Sequence, residues 1–237
     1  MIIRTTAELA RPARVLLALE PTGINPASLQ LAVQLSHSLK AELRSLLMED
    51  LALLRAATLP FAREIRGSGE DHPLDPVTLE RSLRVSETRL REQVARQVEP
   101  RGIVWSMRSL RGSGLAALLD EWSLTDFMVL GRAPRTPWST LPATGHAMLL
   151  YRNSDDLTHA QQVLSDLARS ISPPLPQLTV ETLRWVDVAQ SLPLLRRCNP
   201  GLILLAGGSA CWPSGELRAL LEGLDCPVLL LPGEPSA

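Results

Sequence analysis

The stretch Asp126-Phe-Met-Val-Leu-Gly-Arg-Ala-Pro-Arg135 decides how the rest of this 237-residue chain is interpreted. Its apolar part has the length of a buried strand and ends in a glycine, after which turn-forming and charged residues follow. In an open α/β sheet, ligands bind in the crevice outside the carboxyl ends of the strands. The end of this strand is therefore the first place at which we expect a small-molecule site.

The composition is that of an ordinary globular protein and excludes several classes of function. Hydrophobic residues make up 45% of the sequence and the formal net charge is -1, so the chain can form a core and has no overall attraction to nucleic acid. The three cysteines are widely spaced and predict no disulfide framework. The amino terminus shows no cleavage-site pattern, and no apolar run has the roughly 18 residues that a membrane span needs. We therefore expect a cytoplasmic protein without a membrane segment.

Lys40 is the one lysine among the 24 lysine and arginine residues. It lies near the end of a predicted helix, and no glycine-rich loop precedes it. A Walker A loop, a Schiff-base lysine and a Ser-Lys dyad each require a lysine in a defined context. The sequence also shows no nucleophile–base pair and no metal-ligand spacing. We therefore predict that the protein is not an enzyme and keep a hydrolase or transferase as the less favoured alternative.

Upstream of the opening stretch, predicted strands and helices alternate. The order is a strand over 15–19, a helix over 26–40, a strand over 42–48, a helix over 76–98, a strand over 102–110 and a helix over 115–122. This order predicts an α/β fold with a doubly wound, mainly parallel sheet. An insertion at 50–76 interrupts it, and its polar run at 66–75 predicts a surface loop.

The same order then starts again in a shorter form. It comprises a strand over 148–154, a helix over 155–169, a strand over 178–185, a helix over 186–197, a strand over 201–207, a helix over 215–223 and a strand over 226–231. We therefore predict two tandem units, residues 1–140 with the insertion 50–76 and residues 141–237. The sequence leaves open whether the strand at 147–151 completes the first sheet, begins the second or joins the two.

Three passages together resemble the universal stress protein family. They are Val-Leu-Leu-Ala-Leu-Glu-Pro-Thr at 15–22, the passage from Arg111-Gly112 through a helix to Asp126–Gly131, and Asp225-Cys-Pro-Val-Leu-Leu-Leu231. The resemblance implies a Rossmann-like fold of the adenine nucleotide alpha hydrolase type, in a tandem arrangement with a degenerate second unit. We expect a regulatory protein that binds another protein or forms a homodimer, through its sheet edges or an exposed final strand.

Members of this family that bind ATP carry Gly-x2-Gly-x9-Gly-Ser/Thr after the fourth strand, where backbone amides close on the phosphates. Here Gly131 matches the first glycine, but Pro134 stands at the second, Gly145 falls one residue late and His146 follows it. Two alternatives remain open: a degenerate nucleotide site in a non-catalytic protein, or an ATP or AMP sensor with an altered loop. The candidate nucleotide-binding residues that the resemblance implies are Glu20, Thr22, Gly131, Arg132 and Gly145.

The loops after the two glycine-ended strands carry Trp138 and Trp212. A tryptophan at such a place can stack on a base or on a partner protein, or it can anchor the loop to its own domain. Arg132 and Arg135 likewise can meet a phosphate or a carboxylate, or can simply be exposed to solvent. The sequence alone does not separate these alternatives.

Overall fold

The computed structural model describes residues 14–65, 71–112, 114–122, 126–132, 145–170, 178–208 and 211–233. The strands are β1 (Val15–Leu19), β2 (Leu43–Asp50), β3 (Arg63–Ile65), β4 (Asp71–Pro73), β5 (Trp105–Gly112), β6 (Phe127–Leu130), β7 (Gly145–Tyr151), β8 (Leu178–Arg184), β9 (Leu202–Leu205) and β10 (Val228–Leu230). The helices are α1 (Pro26–Leu39), α2 (Leu51–Ala57), α3 (Pro76–Val98), α4 (Leu115–Glu121), α5 (Ser154–Ser170), α6 (Val188–Cys198) and α7 (Ser214–Gly223), with a 3-10 turn at Glu99–Arg101. Outside the insertion, the elements predicted from the sequence lie within three residues of these bounds.

Eight of these strands form one sheet in the order β5-β2-β1-β6-β10-β9-β7-β8. The first four strands of this order run parallel to one another, and so do the last four. The two groups meet in the antiparallel pair β6 and β10, where Val129 lies opposite Leu229. The predicted doubly wound, mainly parallel α/β fold is therefore confirmed.

The position of β7 and β10 answers a question that the sequence left open. β7 pairs with β8 and β9 and not with β6, so it begins the second group of strands. β10 lies between β6 and β9 in the middle of the sheet, and its residues are buried. The expectation that the final strand is exposed and available for self-association was therefore wrong, because that strand is used to join the two groups within one chain.

Helices cover both faces of the sheet. On one face, α1, α3 and α5 pack on the strands and bury side chains such as Leu35, Val94 and Leu167. On the other face, α4, α6 and α7 bury Leu118 and Leu195 among others. Neighbouring strand residues point to opposite faces, so each buried strand contributes to both cores. Within the described residues, no helix is both long and apolar enough to cross a membrane.

The opening stretch is held in place by a buried ion pair at its start. Asp126 is 1% exposed, and Arg14 donates to its two carboxylate oxygens from Nε at 3.0 Å and from Nη2 at 2.7 Å. The indole Nε1 of Trp122 donates to the Asp126 carbonyl oxygen at 2.7 Å. Because the carboxylate is buried and bound from both oxygens by the residue that precedes β1, Asp126 fixes β6 beside β1.

The insertion forms an arm, which we define as residues 51–65 and 71–89. β3 and β4 pair in an antiparallel hairpin that is separate from the main sheet. The prediction of a surface loop over 66–75 was wrong for Asp71–Pro73, which pair with Arg63–Ile65, while 66–70 lie outside the described residues. The run carries few apolar or β-branched residues, so its composition gave no strand signal.

The two edges of the sheet differ. β5 forms one edge, and Arg91 of α3 donates from Nη2 to the Met107 carbonyl oxygen of that strand at 3.3 Å. β8 forms the other edge, and most of its described side chains are exposed. A side chain bonded to an edge carbonyl blocks the addition of a further strand. α3 therefore protects the β5 edge.

Candidate functional site

The carboxyl ends of β1, β2 and β6 border a cleft with a volume of about 290 Å³. The cleft brings together three of the predicted site residues, Glu20, Thr22 and Arg132. The side chains of Arg218 and Leu221 on α7 close it from the other group of strands. Sequence reasoning missed these two residues because no spacing along the chain indicates that α7 approaches β1.

The charged groups of this cleft are paired loosely with one another. The Nε of Arg132 lies 3.8 Å from Glu20 Oε1, and the Thr22 hydroxyl donates to Glu20 Oε2 at 3.3 Å. Both side chains of the ion pair remain partly exposed, so the pair contributes little to stability. Arg218 is exposed and has no ion pair within the described part of the chain. The cleft is therefore lined by two guanidinium groups and by two carboxylates, those of Glu20 and Glu222.

Gly131 packs against helix α1. A Cβ added at Gly131 would lie 2.0 Å from the Ser28 Oγ and 3.3 Å from the Asn25 Cβ. The same Ser28 hydroxyl donates to the Leu130 carbonyl oxygen at 3.2 Å. The close approach of β6 and α1 thus requires a glycine at this position, whether or not a phosphate binds beside it.

The amino end of α1, which lies beside Gly131, has its own internal partners. Pro26 carries no N–H, and the Asn25 Oδ1 accepts from the N–H groups of Ala27 at 2.9 Å and Ser28 at 3.2 Å. The Leu29 N–H donates to the Asn25 carbonyl oxygen at 3.0 Å. Phosphate sites at helix amino ends depend on N–H groups without an internal partner. The first turn of α1 offers none.

Gly145 lies apart from the other predicted site residues. It begins β7, opposite Leu178 of β8, and the next residue accepts through its carbonyl oxygen from Gly201 N–H at 2.8 Å. β10 and β9 stand between β7 and β6, so strand spacing alone separates β7 from β6 by roughly 14 Å. Pro134, Arg135 and Trp138, on which part of the sequence argument rests, lie outside the described residues.

A second cluster occupies the carboxyl ends of β7, β8 and β9. Arg152 Nη2 lies 2.5 Å from Glu216 Oε2, which also accepts from Trp185 Nε1 at 2.6 Å. Trp212 lies edge-on to Trp185 at 5.7 Å between centroids, and the Arg152 guanidinium lies 5.1 Å from the Trp212 ring. Trp212 is 1% exposed and donates from Nε1 to the Ala206 carbonyl oxygen at 2.7 Å. Of the two alternatives for Trp212, the structure shows the loop anchor.

Side chains also fill the space beside Gly207, which follows β9. Gly207 has a φ of 92°, and a Cβ there would lie 2.9 Å from the Cys211 Sγ and 3.1 Å from the Asp156 carboxyl group. The Cys211 thiol lies 3.8 Å from Asp156 Oδ2. Burial, and then the Asp156 charge, raise the pKa of Cys211. The thiol thus stays protonated at neutral pH and is a poor nucleophile.

Within the described ranges, no three His, Cys, Asp or Glu side chains come together as a metal site. In the cleft Glu20 pairs with Thr22 and Arg132, and in the second cluster Glu216 pairs with Arg152 and Trp185. The cleft is the first of these two sites and is open and weakly paired, whereas the second cluster is closed and tightly paired. The first is therefore the better candidate for binding a ligand.

The chain matches no family model and no curated protein. Among solved structures it is similar to a universal stress protein from Archaeoglobus fulgidus, at 11% identity over 91% of this chain and 95% of that one, with a TM-score of 0.44. It is also similar to a structure from Pseudomonas aeruginosa UCBPP-PA14 titled as a universal stress protein, at 10% identity over 92% and 93%, with a TM-score of 0.44.

A third similar structure is a protein of the universal stress protein family from Burkholderia pseudomallei. It is 13% identical over 94% of this chain and 97% of that one, with a TM-score of 0.31. At these identities the similarity concerns the fold. These structures are named for the universal stress protein family, which the sequence motifs of this chain resemble.

Proposed function

We propose that this protein is a non-catalytic regulatory protein of the universal stress type, which acts in the cytoplasm by binding a second copy or another protein. One observation carries the proposal: the α1 amides that would hold a phosphate beside Gly131 are already bonded to Asn25. A triphosphate would have to break these bonds to gain its own. The free energy of binding would be reduced by the cost of the lost cap.

The second group of strands supports the same proposal. The position beside Gly207, which corresponds in chain order to that beside Gly131, is filled by Cys211 and Asp156. Arg152, the cationic side chain nearest in sequence to the end of β7, is already paired with Glu216 and stacked on Trp212. A ligand at this place would have to displace a buried cluster of side chains.

The cleft between α7 and the first group of strands favours one alternative, an adenine-nucleotide sensor for ATP or AMP. Arg132 and Arg218 both line it, together with the apolar side chains of Met48, Leu115 and Leu221. Two guanidinium groups beside apolar side chains suit a flat ring that carries a phosphate, whereas the carboxylates of Glu20 and Glu222 in the same cleft repel one. The volume of about 290 Å³ lies at the lower end of the range for small-molecule pockets.

Isothermal titration of the purified chain with ATP, ADP and AMP tests the proposal. We expect no heat of binding up to millimolar ligand, and no nucleotide in native mass spectrometry of the protein as purified. Micromolar binding that is lost in Arg132→Gln/Arg218→Gln but kept in Arg197→Gln, an exposed arginine of α6, would establish the sensor instead. Turnover of a generic ester or phosphate substrate by the wild-type chain would contradict the non-catalytic part.

A further inference from the structure

A pocket of about 480 Å³ lies at the amino ends of β2 and β5, and we call it the amino-edge pocket. It lies at the opposite edge of the sheet from the cleft, which borders the carboxyl ends of β1, β2 and β6, and it shares no lining residue with that cleft. The end of α1 and the 3-10 turn after α3 both contribute to it. The polar side chains that line it are Ser36, His37, Lys40, Glu42 and Arg101.

Basic side chains line the amino-edge pocket from two different elements. His37 and Lys40 belong to the end of α1, whereas Arg101 belongs to the 3-10 turn. Arg101 uses one nitrogen within the chain, since its Nη1 donates to the Gln97 carbonyl oxygen at 2.6 Å. Basic side chains near a helix end also interact favourably with its last carbonyl groups, so their presence alone does not indicate a ligand. What their placement does give is a pocket with cationic groups on separate elements.

One carboxylate, that of Glu42, lines the same pocket and is already bound within the chain. Arg44 Nη2 lies 3.4 Å from its Oε2, and the Ser106 hydroxyl donates to its Oε1 at 2.9 Å. Both of its oxygens therefore have partners that do not line the pocket. Glu99, on the same 3-10 turn as Arg101, is exposed and does not line the pocket either. The basic side chains thus outnumber the carboxylates there, which favours an anion.

Lys40 has a backbone conformation that is costly for a lysine. Its φ is 51° and its ψ is 37°, and it ends α1 in the left-handed region, where glycine is the favoured residue. Asn199, which ends α6 in the same way, is the one other non-glycine residue with a positive φ in the described ranges. Asparagine tolerates this conformation better than lysine does. The only lysine in the sequence therefore stands where a glycine would make a more stable helix end, and such strain concentrates at functional sites.

Ser36 gives a second, independent indication of a ligand. It is 1% exposed and lines the pocket, yet its hydroxyl has no hydrogen-bond partner within the described residues. Its carbonyl oxygen, by contrast, accepts from the Ala41 N–H at 2.9 Å. A buried hydroxyl without a partner is unfavourable, because it has lost its bonds to water. An anionic oxygen in the pocket would supply the acceptor that this hydroxyl lacks.

We infer that the amino-edge pocket binds a small dicarboxylate. Lys40 and Arg101 lie on separate elements, so two carboxylates held apart by a short carbon chain match them better than one compact anion such as phosphate. The apolar residues Ala41, Ile103 and Val104 also line the pocket and suit the methylene groups between the two carboxylates. The volume of about 480 Å³ lies within the range of small-molecule sites.

Isothermal titration of the full chain with succinate, glutarate and adipate tests this inference. We expect at least one of them to bind at millimolar concentration or below, and acetate at equal ionic strength not to bind. Lys40→Gly should weaken binding about tenfold, because it removes the ammonium group, and should raise the melting temperature of the ligand-free protein, because it relieves the strained φ. Arg101→Gln should weaken binding without that gain in melting temperature.

Asn199→Gly is the matched control for Lys40→Gly. It makes the same kind of change at the end of α6, and Asn199 does not line the pocket. We expect this variant to bind the dicarboxylate as the wild type does. Loss of binding in Lys40→Gly is then due to the lysine side chain and not to a change in helix-end stability.

A wild type that binds none of the three dicarboxylates would overturn the inference. So would binding that either Lys40→Gly or Arg101→Gln leaves unchanged, and so would acetate or inorganic phosphate binding as tightly as the best dicarboxylate. The nucleotide titration described above addresses the cleft at the other edge of the sheet. Arg132→Gln/Arg218→Gln should leave dicarboxylate binding unchanged, so the proposed function and this inference can fail separately.

Discussion

The α-carbon of Gly131 lies so close to Ser28 that an added Cβ would come within 2.0 Å of the Ser28 hydroxyl oxygen. The hydroxyl itself bonds the Leu130 carbonyl oxygen and so ties β6 to α1. A glycine that the family resemblance assigns to a phosphate loop thus also has a packing role in this chain. Substitutions at Gly131 therefore affect folding before they report on ligand binding.

We expect Gly131→Ala to destabilise the protein by about 2 kcal/mol, because the new methyl group overpacks the contact between β6 and α1. Urea denaturation followed by circular dichroism measures the change. Removing the opposing oxygen should relieve part of the clash, so Ser28→Ala/Gly131→Ala should be more stable than the sum of the single changes implies. Strict additivity would show that the two residues do not meet.

The cap of α1 gives a second prediction. Asn25 is 1% exposed, and its Oδ1 accepts from two first-turn amides, so Asn25→Ala should cost about 1–2 kcal/mol. Asn25→Asp keeps an acceptor at the same place and should cost less. Equal losses in the two variants, measured in the same urea titration, would mean that the cap contributes little.

Substitution of Asn25 also tests whether the cap of α1 limits phosphate binding. Removing the cap frees amides beside Gly131, so Asn25→Gly in particular should bind phosphate-bearing ligands more tightly than the wild type does. Calorimetric titration with ATP compares the two proteins. If the wild type already binds ATP as tightly as this variant, the internal cap is not what limits phosphate binding.

From the environment of Cys226 we predict that the folded protein loses stability at high pH. Burial raises the pKa of this thiol from its ordinary value of 9.0 to about 12. Between these two pH values the unfolded chain has released the thiol proton while the folded chain still holds it, so rising pH favours unfolding. The free energy of unfolding should therefore fall from pH 9 toward pH 12, as measured by urea denaturation at a series of pH values.

Cys226→Ala is the matched control, because it removes this titration and leaves the arginines and the tyrosine in place. The difference between wild type and variant should grow across the same pH range and be flat below pH 9. At neutral pH the exposed thiol of Cys198 should react with iodoacetamide well before that of Cys226 does. Equal alkylation of both in the folded protein would contradict the partial burial of Cys226.

Trp212 gives a further prediction. Its indole N–H bonds the buried Ala206 carbonyl oxygen, and its ring contacts Trp185 and Arg152. Trp212→Phe keeps an aromatic ring but leaves that carbonyl without a donor, so it should cost about 1–3 kcal/mol. Trp105→Phe, at a half-buried position in edge strand β5, should cost less. A larger loss of stability for Trp105→Phe than for Trp212→Phe would contradict the role of Trp212 as the loop anchor.

The sequence was most reliable where local pattern and burial agree. The apolar runs at 15–19 and 226–231 contain strands because their strand residues are buried on both faces. Asn25-Pro26 and Asp75-Pro76 begin helices because a side-chain acceptor precedes a proline. It failed at Asp71–Pro73, where a polar segment pairs as a strand. Whether this segment forms a strand depends on the strand with which it pairs. Its own composition carries no information about that partner strand.

The candidate site was predicted only in part for a related reason. Glu20, Thr22 and Arg132 meet because each follows the carboxyl end of a parallel strand, and a β-α-β order in the sequence implies that shared edge. Arg218 joins them because β10 inserts beside β6 and so carries α7 across. The position of α7 therefore depends on contacts between segments that are far apart in sequence, and no local residue spacing encodes it.

The sequence by itself determined the alternation of strands and helices before and after Asp126–Arg135. Apolar periodicity and helix caps act over a few neighbouring residues, so they can be read from the sequence. The tertiary structure alone decided that both groups of strands form one sheet and that the final strand lies at its centre. It also decided that Gly131 packs on Ser28 and that Lys40 and Arg101 line one pocket. Each of these features depends on which surfaces, distant in sequence, pack against each other. The hydrophobic effect that drives this packing is non-directional, so no local sequence pattern specifies it.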